Sequence, residues 1–161
     1  MKKKGSWRRA VIGILAICLV LPATLFAQGT PSKTFKPEEL DQLLAPVALY
    51  PDELLTQILM ASTYPLEVVQ AERWAKQNKS LKGDALKTAL DKQTWDASVK
   101  ALVPFPDVLT MMSEKLEWTQ KLGDAVLAQQ KDVLDTVQKL RKKAAEAGNL
   151  KSSKEQEVKK E

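Results

Sequence analysis

The sequence predicts an all-α protein: an irregular antiparallel bundle of short helices with one long C-terminal helix, after an N-terminal signal peptide. Two observations predict the helical class. No stretch after residue 27 keeps up the alternation of apolar and polar residues that a half-buried strand requires. Apolar residues instead recur at helical spacing. The first such run contains Leu40, Leu43, Leu44 and Val47.

Pairs of an aromatic residue and proline divide the apolar sequence into separate helices. A residue before proline is excluded from the α region, whereas proline itself suits the first turn of a helix. Each pair is therefore expected to end one segment and to start the next helix, with acidic residues in its first turn. The pairs are Tyr50-Pro51, Tyr64-Pro65 and Phe105-Pro106, and Pro37 opens the first helix in the same way.

Other helix limits follow from capping residues and from glycine. Ser80 is expected to cap a short helix that starts at Leu81, and Asp96 to cap another. The last helix is predicted over residues 106–147, with Gly123 as its only breaker and the expected position of a split or bend. Short connections favour antiparallel packing of neighbouring helices.

The first 27 residues have the three parts of a secretory signal peptide. Five Lys and Arg precede an apolar run over residues 10–27, and a polar segment follows. We expect cleavage between Ala27 and Gln28. Two alternatives remain open. The run could be retained as an anchor, because it reaches the lower length limit for a membrane span. Cys18 could be lipidated, although Ile17 stands where lipoprotein signals prefer a small residue.

The chain after the signal peptide is predicted to have three parts. Residues 28–36 form a flexible, polar lead. Residues 37–148 form the all-α domain. Residues 149–161 form a charged, disordered tail, because their apolar content is too low for a packed core.

The excess of positive charge belongs to the signal peptide. The chain has 25 Lys and Arg against 20 Asp and Glu, and five of those cations lie in residues 1–9. The remaining chain is balanced and lacks a basic stripe with interleaved aromatic residues. We therefore expect an exported protein that binds no nucleic acid.

The residue types present exclude most catalytic chemistry. The chain has no His, and Cys18 is its only Cys. Ser-His-Asp and Cys-His catalysis and the usual zinc sites are therefore excluded, and we predict no catalytic residue, cofactor or metal. Acid pairs one helical turn apart would serve hydrolysis or calcium binding only if they converged in a cleft, and the lysines beside them favour a solvated face. The pairs are Glu114 with Glu117 and Asp132 with Asp135.

Six aromatic residues form the candidate contact surface. One interpretation is a patch that grips a partner. The alternative is that each ring fills a corner between helices, because the aromatics stand near helix boundaries. The six are Tyr50, Tyr64, Trp74, Trp95, Phe105 and Trp118.

Several motifs resemble a known family. They are LAPVALYPDELL from Leu44, TYPLEVV from Thr63, TWDASVKAL from Thr94, FPDVL from Phe105 and EWTQKLGDAVLAQQ from Glu117. From about Leu40 to about Lys151 the sequence resembles the exported bacterial proteins of domain-of-unknown-function family 3300. The resemblance implies a Gram-negative envelope protein and no assigned activity. Members often continue into Val-Tyr-Pro-rich and low-complexity sequence, so a chain that stops after a charged tail is expected to be a minimal or truncated member.

These observations predict a non-enzymatic helical interaction or structural module, periplasmic or envelope-associated. Its partner would be an envelope protein that the sequence does not identify. The long helix offers a surface for homo-oligomers, and membrane contact is expected only through an uncleaved signal peptide. Two alternative functions are a carboxylate-dependent hydrolase of envelope polymers and a peripheral membrane-binding helical protein.

Overall fold

The structure, a computed structural model, describes residues 34–147, and every regular element among them is an α-helix. This confirms the predicted all-α class with one long C-terminal helix. The predicted signal peptide and tail, and residues 28–33 of the lead, lie outside the described residues. The helices are α1 (Pro37–Leu44), α2 (Asp52–Ala61), α3 (Pro65–Gln77), α4 (Gly83–Asp91), α5 (Ala97–Leu102), α6 (Pro106–Glu114) and α7 (Leu116–Glu146).

The predicted role of proline at helix starts is confirmed. Proline is the first residue of α1, α3 and α6, and Pro51 directly precedes α2. The residues before two of these prolines have non-helical backbone angles: Tyr64 has φ −122° and ψ 56°, and Phe105 has φ −113° and ψ 72°. The steric effect of the proline ring is local, so it fixes these helix starts without help from distant contacts.

One predicted cap is confirmed and the other is wrong. The Asp96 carboxylate accepts a hydrogen bond from the Ser98 backbone N–H at 2.8 Å and so caps α5. Ser80 caps nothing, because α4 begins later, at Gly83. The chain first makes a turn in which the Leu81 N–H donates to the Asn78 carbonyl at 3.0 Å. Gly83 then takes a φ of +55°, which glycine adopts without strain.

The predicted long helix is in fact two helices. α6 and α7 meet at Lys115, whose φ of −99° and ψ of 51° lie outside the helical region. Gly123 does not break α7, so that expectation is wrong. Its absent side chain instead allows close packing, because a Cβ there would lie 2.3 Å from the Ser62 carbonyl oxygen. The kink of α7 is at Gln129, with φ −144° and ψ 47°.

The kink at Gln129 coincides with a contact to the start of the domain. The Gln129 side-chain oxygen accepts from the Phe35 N–H at 2.6 Å, and its amide nitrogen donates to the Phe35 carbonyl at 3.3 Å. The Phe35 side chain is buried in the core. These hydrogen bonds attach the N-terminal end of the described domain to the middle of α7, its longest helix.

The core is shared by helices that are distant in the sequence. The most extensive packing joins α1 to α7, α2 to α5 and α3 to α6. No helix within residues 34–147 is both long enough and apolar enough to cross a membrane. The largest fully buried side chains are Leu44, Ile58, Leu102, Leu109, Met112 and Leu122.

Candidate functional site

The two tryptophans Trp74 and Trp95 pack against each other. Their ring centroids are 5.9 Å apart and the ring planes lie at 81°, an edge-to-face contact. Trp95 is 9% exposed, and its indole N–H donates to the Gln70 side-chain oxygen at 3.1 Å. Trp95 therefore belongs to the core that joins α3 to the start of α5.

The other predicted contact residues lie in different environments. Tyr64 is 39% exposed and Phe105 is 46% exposed, and each precedes the first proline of a helix. Tyr50 and Trp118 are half-buried against the core. A contact surface shared by all six aromatics stays a prediction, and one of the six, Trp118, lines an open pocket.

The Trp118 pocket is formed where α6 meets α7. It has a volume of about 380 Å³. Lys115 lies at the break between the two helices, and the connection after α1 contributes Pro46 to the pocket lining. The apolar lining consists of Pro46, Met111, Leu116 and Trp118, and the charged lining of Glu114, Lys115 and Glu117.

Trp118 is held in place by a hydrogen bond to another helix. Its indole N–H donates to the Leu43 carbonyl of α1 at 2.9 Å. The only polar group of the ring is thus already satisfied within the fold. What the ring offers to the pocket is aromatic surface in a fixed orientation, which is how preorganised binding sites limit the entropy cost of association.

The four candidate acids lie on exposed parts of α6 and α7. All four are exposed to solvent. Glu117 pairs with Lys121 at 2.6 Å, and Asp135 with Lys131 at 2.5 Å, each one turn along α7. Asp132 accepts from the Gln129 amide at 3.0 Å, and Glu114 lies on the rim of the open pocket. Hydrolysis by two acids needs them to flank the bond that is cleaved. The solvent exposure of these acids and the lysine partners of Glu117 and Asp135 remove the main support of the hydrolase alternative.

No metal centre is evident in the part of the chain that the structure describes. Among residues 34–147, no group of three or more Asp, Glu, His or Cys side chains could hold a metal ion. The Trp118 pocket has an apolar and aromatic wall, with carboxylates and one ammonium group at the rim.

Comparison with known proteins identifies the family. The family described as Protein of unknown function (DUF3300) matches residues 36–161. The chain belongs to this family. It is also 51% identical over 147 residues to the Uncharacterized protein YacH of Escherichia coli (strain K12). That match covers 89% of this chain and 24% of YacH, so the chain spans about a quarter of the length of that relative. No solved structure matches the chain.

In this DUF3300 member, a buried arginine holds the corner of the LAPVALYPDELL motif. Arg141 of α7 donates from Nε to the Ala48 carbonyl at 2.7 Å and from Nη2 to the Tyr50 carbonyl at 2.8 Å. Its Nη1 pairs with the Asp52 carboxylate. The corner between α1 and α2 is thus tied to the far end of α7.

Arg141 was not among the residues predicted from the sequence, although one signal pointed to it. Arg141 continues the four-residue spacing of Val133 and Val137, which are both buried on α7. A cation in the register of an apolar stripe predicts either an interruption of the stripe or a buried charge with partners. The structure places Arg141 in the second class, with 9% of its surface exposed.

Proposed function

We propose that this chain is a non-enzymatic interaction module of the bacterial cell envelope, and that the Trp118 pocket receives a side chain of a partner protein. The observation that carries the proposal is the pocket itself. It is open, it has a fixed aromatic wall, and its volume of about 380 Å³ suits one or two side chains rather than a large ligand.

The lining of the pocket favours a long cationic side chain. Trp118 and Met111 offer an apolar wall on which an aliphatic stem can lie, and a cation near the indole face gains additional attraction. The lining has two acids, Glu114 and Glu117, and one cation, Lys115. Because Glu117 also pairs with Lys121 of α7, a cation of the partner would compete with Lys121 for that carboxylate. An arginine or lysine of the partner would match both features.

The cellular location is part of the proposal and rests on the sequence. The cationic stub and the apolar run before residue 28 are typical of export. The absence of His from the chain and the solvent exposure of its candidate acids agree with a role in binding rather than in chemistry.

Crosslinking in living cells tests the proposal. A photoreactive residue at Lys115, on the exposed rim, would reach a partner without disturbing Trp118. We expect a discrete adduct that Glu117→Lys weakens by about tenfold, since reversing a rim charge repels a cationic side chain. Asp124→Lys is the matched control, because Asp124 is an exposed acid of the same helix that does not line the pocket. Equal adduct yields in the two variants, or no adduct, would contradict the proposal.

A further inference from the structure

We propose that residues 73–92 form a basic lobe that docks on a bilayer surface rich in anionic phospholipid. The basic lobe comprises the C-terminal part of α3, the turn after it, and α4 up to its C-cap, Lys92. The basic lobe shares no residue with the Trp118 pocket, although Lys76 interacts electrostatically with Glu114 of the pocket lining.

The basic lobe concentrates positive charge in a chain whose residues 28–161 carry equal numbers of cations and acids. Within residues 73–92 there are six cations and only two acids. All eight side chains are exposed. The cations are Arg73, Lys76, Lys79, Lys82, Lys87 and Lys92, and the acids are Asp84 and Asp91.

The cations of the basic lobe are mostly free of ion pairs. On α7, the lysines at 121, 131, 139 and 143 and Arg141 all pair with acids. In the basic lobe, Lys76 alone has such a partner, the buried Glu72. Five cations there keep their charge available to an external anion. Neighbouring charges of one sign add their fields at the surface, which attracts a polyanionic partner.

The geometry of α4 places these charges at the edge of the fold. Of the nine residues of α4, only Leu90 is buried. Lys82 is the N-cap and Lys92 the C-cap of this helix, and Lys87 lies between them. A helix of this length spans about 14 Å, so three of the ammonium groups are carried by one short, peripheral element. Their flexible stems can each reach a different headgroup on a flat surface.

The composition of the basic lobe favours a lipid surface over a nucleic acid. Binding of single-stranded nucleic acid needs aromatic rings on which bases stack. The lobe has one aromatic residue, Trp74, which packs edge-on against Trp95. Five of its six cations are lysines, which act as separate point charges, whereas arginine is the residue that grips a phosphate in a bidentate fork. Clusters of this kind bind anionic bilayers by long-range attraction.

Vesicle co-sedimentation tests this inference. The protein would be residues 28–161, which contain the whole described core and lack the apolar run that would itself enter lipid. It would be mixed with vesicles of phosphatidylglycerol and phosphatidylethanolamine, or of phosphatidylcholine alone, at about 0.02 M and about 0.3 M salt. The test variant replaces Lys79, Lys82, Lys87 and Lys92 with Gln. The matched variant replaces Lys100, Lys121, Lys131 and Lys142 with Gln and removes the same charge elsewhere.

We expect binding to the anionic vesicles at low salt only, and none to phosphatidylcholine. The lobe variant should lose at least about tenfold in partitioning, and the matched variant less than about threefold, because each lysine at the surface adds attraction. Equal losses in both variants would show an effect of net charge and overturn the proposal. Absence of binding to anionic vesicles would overturn it as well, as would binding of a single-stranded nucleic acid with higher affinity than the vesicles.

Discussion

Arg141 makes three contacts that differ in how much they contribute to stability. Its hydrogen bond to the Ala48 carbonyl is buried and the one to the Tyr50 carbonyl is partly buried, whereas the Asp52 side chain is 80% exposed. Water can replace the arginine at an exposed carboxylate but not at a buried carbonyl. The arginine thus holds the corner mainly through the backbone.

Two substitutions separate these contributions. Arg141→Met should lower the free energy of unfolding by about 2–4 kcal/mol, since two carbonyls lose a charged donor. Asp52→Asn should cost less than about 1 kcal/mol, as is usual for an exposed ion pair. Urea unfolding of both variants measures this. A larger loss for Asp52→Asn than for Arg141→Met would show that the ion pair, not the backbone contacts, secures the corner.

Gly123 allows α7 to approach the corner between α2 and α3. Gly123→Ala would put a Cβ 2.3 Å from the Ser62 carbonyl oxygen, which is backbone and cannot rotate away. We expect a loss of about 1–3 kcal/mol in thermal or urea unfolding, although alanine favours helix formation over glycine. Gln130→Ala, at an exposed position of the same helix, is the control and should be neutral. A Gly123→Ala protein as stable as the wild type would refute the close packing.

At the scale of the element, α5 depends on its N-cap. The Ser98 hydroxyl and backbone N–H both donate to the Asp96 carboxylate, and the hydroxyl is the larger cause of a pKa of Asp96 below its usual value of 3.8. A lowered pKa in the folded state means that ionised Asp96 stabilises the fold above pH 3.8. That contribution is lost as the pH falls below 3.8, towards the pKa of the folded state.

The pH dependence of an Asp96→Ala variant follows from this sign. At pH 7 the variant should be less stable than the wild type by about 1 kcal/mol, the usual value of a lost cap. The difference should shrink as the pH falls below 3.8, where Asp96 of the wild type is protonated first in the unfolded chain and, at lower pH, in the folded protein. A difference that stays constant from pH 7 down to the acid limit of folding would contradict the role of the charged cap.

The packing of α3 against the segment before α5 depends on Trp95. Trp95→Ala should cost about 3–5 kcal/mol, because it empties a core position and leaves the Gln70 amide without its donor. Phe105→Ala, at a residue with 46% exposure, should cost much less. Circular dichroism melts of the two variants distinguish a core residue from an exposed one. Similar melting temperatures for both would place Trp95 outside the core.

Proline positions were predictable from the sequence because their effect is local. The starts of α3 and α6 follow from the ring of the first residue and need no tertiary contact. The break at Lys115 and the kink at Gln129 were not predictable, since neither position holds glycine or proline. The Gln129 kink coincides with hydrogen bonds to Phe35, 94 residues away, and such a contact leaves no local pattern.

The candidate site was predictable only in part, for the same reason. The sequence identified Trp118 as one of six aromatics of interest. It did not show that Pro46 and Met111 would stand beside that ring, because this depends on how α1 and its following connection pack near the junction of α6 and α7. Arg141 was missed because the helical stripe was judged from its apolar members alone, while the buried cation occupies the same register.

At the scale of the whole molecule, the domain combines a rigid core with surfaces of different chemistry. The Trp118 pocket is apolar with an acidic rim, and the basic lobe lies on other elements. If both proposals hold, the domain would contact a membrane and a protein partner through different residues. We propose that the partner docks at the pocket. The alternative is that it docks at other exposed apolar residues.

A crosslinking scan in living cells tests that claim most directly. Photoreactive residues would be placed one at a time at Lys115 beside the pocket, and at Leu66, Phe105 and Leu127, which are exposed elsewhere. We expect one discrete adduct at Lys115, and we expect that the protein captured there forms no adduct at the other three positions. An adduct confined to Leu66 and Phe105, or to Leu127, would place the interface away from Trp118 and contradict the account.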